Sequence, residues 1–123
     1  MSKIKTINKI QLQAPPRGRC RWLQEVLGLS DPEMQLALNI HSYTTLRRWR
    51  NDPADAEASE LKRFDLLLEL VDTAKRAMNA RELQGWMREP NQKLGGMVPC
   101  KVVGDLHCLS LVLDVLRGKK EAQ

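Results

Sequence analysis

Hydroxyl and guanidinium side chains crowd into one short stretch, "SYTTLRRWR", residues 42–50. Read as a helix, it carries Ser42, Tyr43, Thr44 and Thr45 at its start and Arg47, Arg48 and Arg50 beyond them. Leu46 and Trp49, three apart, share the side that faces the protein. This is the chemistry of duplex DNA recognition, in which short polar side chains reach base edges, guanidinium groups grip phosphates and an apolar pair holds the helix to its own fold. Arginine reads guanine through two parallel hydrogen bonds or simply pairs with phosphate, and both roles stay open for Arg47 and Arg48. The bland alternative is a helical hairpin whose arginines make a solvated face.

The charge balance points the same way. Lys and Arg number 20 against 15 Asp and Glu, for a net charge of +5, and the excess is uneven. Before Glu25 the chain carries Lys3, Lys5, Lys9, Arg17, Arg19 and Arg21 and no acid. A basic head suits a polyanion, nucleic acid first, or serves only as a solvated tail.

Other reactive residues form no constellation. Cys100, His107 and Cys108 lack a C-x-x-C pair and a fourth ligand, so no metal or other cofactor is expected. His41 reads as a polar turn residue and His107 sits among apolar neighbours. Without a glycine-rich phosphate loop or a base beside any cysteine, the chain is not expected to be an enzyme. An odd three cysteines fit a reducing compartment, and neither a secretion signal nor a span of roughly 20 apolar residues is present. The expectation is a cytoplasmic protein without membrane contact.

The elements that must position these residues are helical. Residues 1–16 read as a basic arm closed by Ala14-Pro15-Pro16. A first helix is expected over 17–27, with Cys20, Leu23 and Leu27 on one stripe and Gly28 as its stop. Ser30, Pro32 and Glu33 make a capping-box start for a second helix through 38. Asn39 and Ile40 turn the chain, and Ser42 caps the arginine-bearing helix. Asp52-Pro53 should then start the longest helix of the chain, over 54–78. Its apolar rows are Leu61, Phe64, Leu68 and Val71, beside Leu67, Leu70 and Ala74. A short helix over 81–88 presents Leu83 and Trp86. The last element, 105–117, alternates like a strand at Leu109, Leu111, Leu113 and Val115 yet keeps helical spacing at Leu106, Leu109, Val112 and Leu116. Asp105 as cap and Gly118 as stop favour the helix.

Between these helices lies "WMREPNQKLGGMVP", with Pro90, Asn91, Gly95, Gly96 and Pro99 in ten positions. That is too much punctuation for a plain connection. Pro90 stops a helix, Asn91 can bond the freed backbone, and Gly96 permits an angle closed to other residues. Trp86 has a large face to bury against this loop and the last helix, as core or as part of a presented platform.

Trp86, Pro90-Asn91, Leu94, Gly96, Pro99 and the Val112, Leu113, Val115, Leu116 run resemble the W-x3-PN-x2-L-x-G-x2-P signature of the Xre/MbcA/ParS antitoxins. Upstream, "TLRRWR" and the helix beginning near Asp52 are similar to that family's helix-turn-helix half. The resemblance implies an all-α protein in which Xre/Cro-like helix-turn-helix elements, 17–78, join through a long helix to a small toxin-binding domain with a C-terminal tail, 79–123. It implies a type II antitoxin that neutralises a RES-domain, NAD-degrading toxin by covering its active site, dimerises, and represses its own operon. On that reading Trp86, Asn91, Leu109, Leu113 and Leu116 meet the toxin. Arg117, Gly118, Lys119 and Lys120 form a tail whose cations suit the pyrophosphate site of a dinucleotide. The final helix has apolar residues around most of its circumference, so something further must cover it: toxin, or a second copy in a stand-alone dimeric repressor.

Overall fold

In the computed structural model the described residues are 18–50 and 57–122, with side chains described through residue 118. Among them the fold is all-α. The basic arm, Arg17 and the Asp52-Pro53 start lie outside the described residues.

Helix α1, Arg19–Leu27, buries Cys20, Leu23, Val26 and Leu27 and ends at Gly28. The Leu29 N–H reaches back to the Gln24 carbonyl at 3.0 Å, closing the helix end. Helix α2, Asp31–Leu38, starts on the capping box read from the sequence. Ser30 Oγ accepts from the Glu33 N–H at 3.3 Å, and Glu33 Oε1 accepts from the Ser30 N–H at 2.9 Å. Helix α3, Tyr43–Trp49, follows after four residues, with Ser42 Oγ accepting from the Thr45 N–H at 3.4 Å.

Helix α4, Ala58–Ala74, is shorter than its apolar rows suggest and no longer than the last helix, each having 17 residues. The shortening comes from competing caps. At the front, Glu60 Oε1 accepts the Glu57 N–H at 2.8 Å, holding Glu57 extended outside the helix. At the back, the cap of the next helix needs Asn79 extended, with Asn79 Oδ1 and Glu82 Oε1 exchanging backbone bonds at 2.8 Å each, so the chain leaves the helix before Met78. In the rows, Phe64, Leu67, Leu70, Val71 and Ala74 are buried, Leu68 is half-buried and Leu61 is exposed.

Helix α5, Ala80–Arg88, turns Leu83 and Met87 into the core. Trp86, expected beside Leu83, is half-buried at the core's edge. After a 3-10 turn, Gln92–Leu94, comes α6, Pro99–Val102, which the sequence reading passed over although proline at a first helical position signals it. Helix α7, Leu106–Ala122, settles the ambiguous last element as helix, and Asp105 Oδ1 accepts the Cys108 N–H at 3.0 Å as its cap. Gly118 does not stop it. Glycine ends a helix by adopting a left-handed angle, Gly118 does not, and the helix carries through to Ala122.

A single hydrophobic cluster runs from Cys20 to Leu116. Helix α4 lies along α7, α1 packs on α5 and on α4, and α6 on α2. The boundary expected near residue 79 therefore does not coincide with a break in the core. The two halves approach closely at Gly104, where an added Cβ would meet the Leu36 carbonyl oxygen at 2.5 Å. Gly104→Ala is expected to lower stability by about 1–3 kcal/mol, because backbone rather than a flexible side chain must give way. A urea midpoint equal to that of the wild type shows instead that α2 and this turn separate freely.

Candidate nucleic-acid interface

The outward face of α3 is built by two local devices. Ser42 fixes the helix start, and the three-residue spacing of Leu46 and Trp49, 0% and 2% exposed, fixes its rotation. Ser42, Tyr43, Thr44, Arg47 and Arg48 are consequently exposed together, with Thr45 half-buried beside them. These residues share one surface as the sequence reading placed them. The exposed part of α3 is polar and cationic.

Arg50 departs from that surface. Its side chain is 26% exposed, and Nη2 donates to Asp31 Oδ1 at 2.8 Å. The guanidinium carbon stands 5.9 Å from the Tyr43 ring centre, within reach of a cation–π contact. Asp31 also accepts from Gln24 Nε2 at 2.7 Å. Asp31 was missed as a site residue. Its place in the first turn of α2 gives it a local reason to exist, and nothing in sequence spacing ties it to a partner 19 positions away.

The residues expected to meet a protein partner divide. Leu109, Leu113 and Leu116 are 0%, 3% and 1% exposed and belong to the core against α4, which corrects their reading as a docking surface. The apolar circumference of α7 is largely covered from within; Leu106 and Leu111 remain exposed on it. Arg117 pairs with Glu69 and with Asp114, the latter at 3.3 Å, so its charge is engaged within the chain. Gly118 lies inside the helix, and Lys119 and Lys120 continue its backbone, which corrects the expectation of a tail leaving after Gly118.

Trp86 and Asn91 are both half-buried. Glu89 is extended ahead of Pro90, as a pre-proline residue must be. Asn91 then organises the loop through its side chain and its backbone. Its Oδ1 accepts the Lys93 N–H at 2.9 Å, its carbonyl accepts from Leu94 and Gly96 at 2.9 Å each, and its N–H donates to the Met97 carbonyl at 3.0 Å. Gly95 and Gly96, at φ 68° and 87°, take the left-handed angles that close this loop.

A clamp unforeseen in the sequence joins the end of α5 to α2. Arg88 donates from Nη1 to Glu33 Oε2 and from Nη2 to Glu33 Oε1, at 2.7 Å each, and also to the Gly28 carbonyl. Cys100 Sγ lies 3.5 Å from Arg88 Nη1. The bonds from Arg88, foremost, hold the Glu33 carboxyl down to about 2. Burial pushes the Cys20 thiol up to about 11 against the pull of Arg50, and raises Cys100 and Cys108 too. All three are therefore thiols, not thiolates, near neutral pH. Among the described residues no three His, Cys, Asp or Glu stand together as metal ligands, and no helix is long and apolar enough to cross a membrane.

Compared with models of known protein families, with characterised proteins and with solved structures, the chain finds no match.

Proposed function

We propose that this protein is a DNA-binding antitoxin. On this reading α2 and α3 act as a helix-turn-helix, with α3 in the major groove, Ser42, Tyr43 and Thr44 toward base edges, and Arg47 and Arg48 on phosphates. The observation that carries it is the sorting of α3, whose Tyr43, Thr44, Arg47 and Arg48 are exposed while Leu46 and Trp49 are buried. The antitoxin half rests on the W-x3-PN signature and on the loop that Asn91 closes between Trp86 and α6. There a RES-domain toxin docks and has its active site covered, and operator binding by a homodimer represses the operon.

Because Leu109, Leu113 and Leu116 are core, the residues available to a toxin are Trp86, the 91–97 loop, Leu106 and Leu111. The test has two arms. In gel shifts on the DNA upstream of the gene, Arg47→Ala with Arg48→Ala is expected to weaken binding and lower the salt slope by about two units, about one for each phosphate contact. Co-expression with the product of the neighbouring gene is expected to yield a stable complex that no longer consumes NAD, the double variant included. A double variant matching the wild type across the salt series overturns the DNA assignment. DNA binding with no toxin complex leaves a stand-alone dimeric repressor.

A further inference from the structure

We infer that Arg50 is a positioning residue for Tyr43, not a phosphate contact, and that Tyr43 is a residue through which this interface discriminates DNA sequence. The inference rests on the DNA-binding reading of α3.

Arg50 is held through its backbone and through its guanidinium. Its N–H donates to the Arg47 carbonyl at 3.3 Å and its carbonyl accepts the Arg21 N–H at 3.2 Å, which ties the end of α3 to α1. Its Nη2 is fixed by Asp31 at 2.8 Å, and Asp31 is itself fixed by Gln24. Its Nε is buried and has no hydrogen-bond partner. A guanidinium meant for phosphate keeps its donors toward solvent; this one gives one donor to a carboxylate and buries another. Using it on DNA means breaking the Asp31 bond, and its charge is already offset by that carboxylate.

What the fixed orientation does achieve is contact with Tyr43. The guanidinium carbon lies over the ring, 5.9 Å from its centre, so a side chain that is otherwise 48% exposed has a cationic neighbour at the start of α3. Arginine suits this role because its planar head stacks on an aromatic face while its edge bonds a carboxylate; lysine can do neither in the same way. An aromatic ring presented at the start of a recognition helix offers an apolar surface to a base, the thymine methyl being the matching group in the major groove. Such a contact discriminates between sequences and carries no counterion cost, so it leaves the salt dependence alone.

The experiment uses the full chain with two duplexes, one selected by the wild-type protein from a random pool and one of scrambled sequence, across a salt series. Arg50→Lys, Arg50→Ala, Asp31→Asn and Tyr43→Ala are each expected to lower the ratio of the two affinities by about tenfold. Affinity for the scrambled duplex and the salt slope are expected to stay as in the wild type. Combining Arg50→Ala with Tyr43→Ala is expected to add no further loss, since the two act through one contact. Replacing thymine by deoxyuridine in the selected duplex is expected to cost the wild type affinity and the Tyr43→Ala variant none.

A phosphate role gives the opposite pattern. Arg50→Ala then lowers the slope by about 0.9, Arg50→Lys restores binding, and Asp31→Asn tightens it by freeing the guanidinium. That pattern overturns the inference and leaves the DNA reading intact. A wild-type protein that selects no sequence at all sinks the DNA reading, and the inference with it. Should Arg50→Ala fail to fold, as judged by circular dichroism, Asp31→Asn and Arg50→Lys decide between the two patterns.

Discussion

Leu113→Asp is expected to leave the chain unfolded at room temperature. Leu113 is 3% exposed on α7, the helix that lies along α4 in the shared core. Truncation to alanine at such a site costs about 2–5 kcal/mol through lost burial and the cavity left behind. An aspartate there adds the desolvation of a carboxylate, several kcal/mol more, against a total stability of about 5–15 kcal/mol for a domain of this kind. Leu111→Asp, two positions along the same helix but 37% exposed, is expected to keep the wild-type helix content. Circular dichroism and urea unfolding of the two variants make the comparison. A folded Leu113→Asp protein with a wild-type midpoint means that α7 can peel from α4, and the core assignment of its leucines then falls. The pair also guards against a false reading of partner binding: loss of a complex through Leu113→Asp reports unfolding, whereas loss through Leu111→Asp reports a surface.

The second large effect is expected at the clamp. Glu33 is 18% exposed and Arg88 44%, so the pair sits between a surface ion pair, which is worth little, and a buried one, whose disruption is costly. Two parallel bonds and the added Gly28 carbonyl place Arg88→Ala at about 2–4 kcal/mol. The pH dependence identifies the carboxylate. Its folded value of about 2 lies below the ordinary 4.5, so the ionised form stabilises the fold at any pH above about 4.5. That contribution is withdrawn as the pH falls from there through about 2. The gap in stability between wild type and Glu33→Gln should therefore be widest near neutrality and shrink toward about pH 2.5, followed by urea unfolding at several pH values. A gap that stays constant over this range shows that the pair is not linked to folding.

How much of this was legible in the chain follows from the range of each force. Helix starts are decided by groups three residues apart, and Ser30 with Glu33, Ser42, and Asp105 all cap as their spacing indicates. The loop after Trp86 is equally local: Pro90 ends a helix, Asn91 bonds the freed backbone and two glycines take left-handed angles. The outward face of α3 was readable for the same reason, since two apolar residues three apart settle the rotation of a seven-residue helix.

Caps and apolar spacing thus determined by themselves that the protein is helical, where most helices begin, and which side of α3 meets solvent. Tertiary structure alone decided which apolar residues of α7 are core, because a helix that is apolar around most of its circumference says nothing about where its neighbour lies, and α4 chose Leu109, Leu113 and Leu116 while leaving Leu106 and Leu111 outside. It decided that Met87 and not Trp86 fills the core, and that α7 runs through Gly118. Above all it decided what the charges do. Arg88 finds Glu33 across 55 positions, Arg117 finds Glu69 across 48, and Arg50 finds Asp31 across 19. An arginine's long side chain reaches any carboxylate the fold brings near, so whether it serves DNA, a partner or its own protein is set by which surfaces pack together, a property no window of sequence contains.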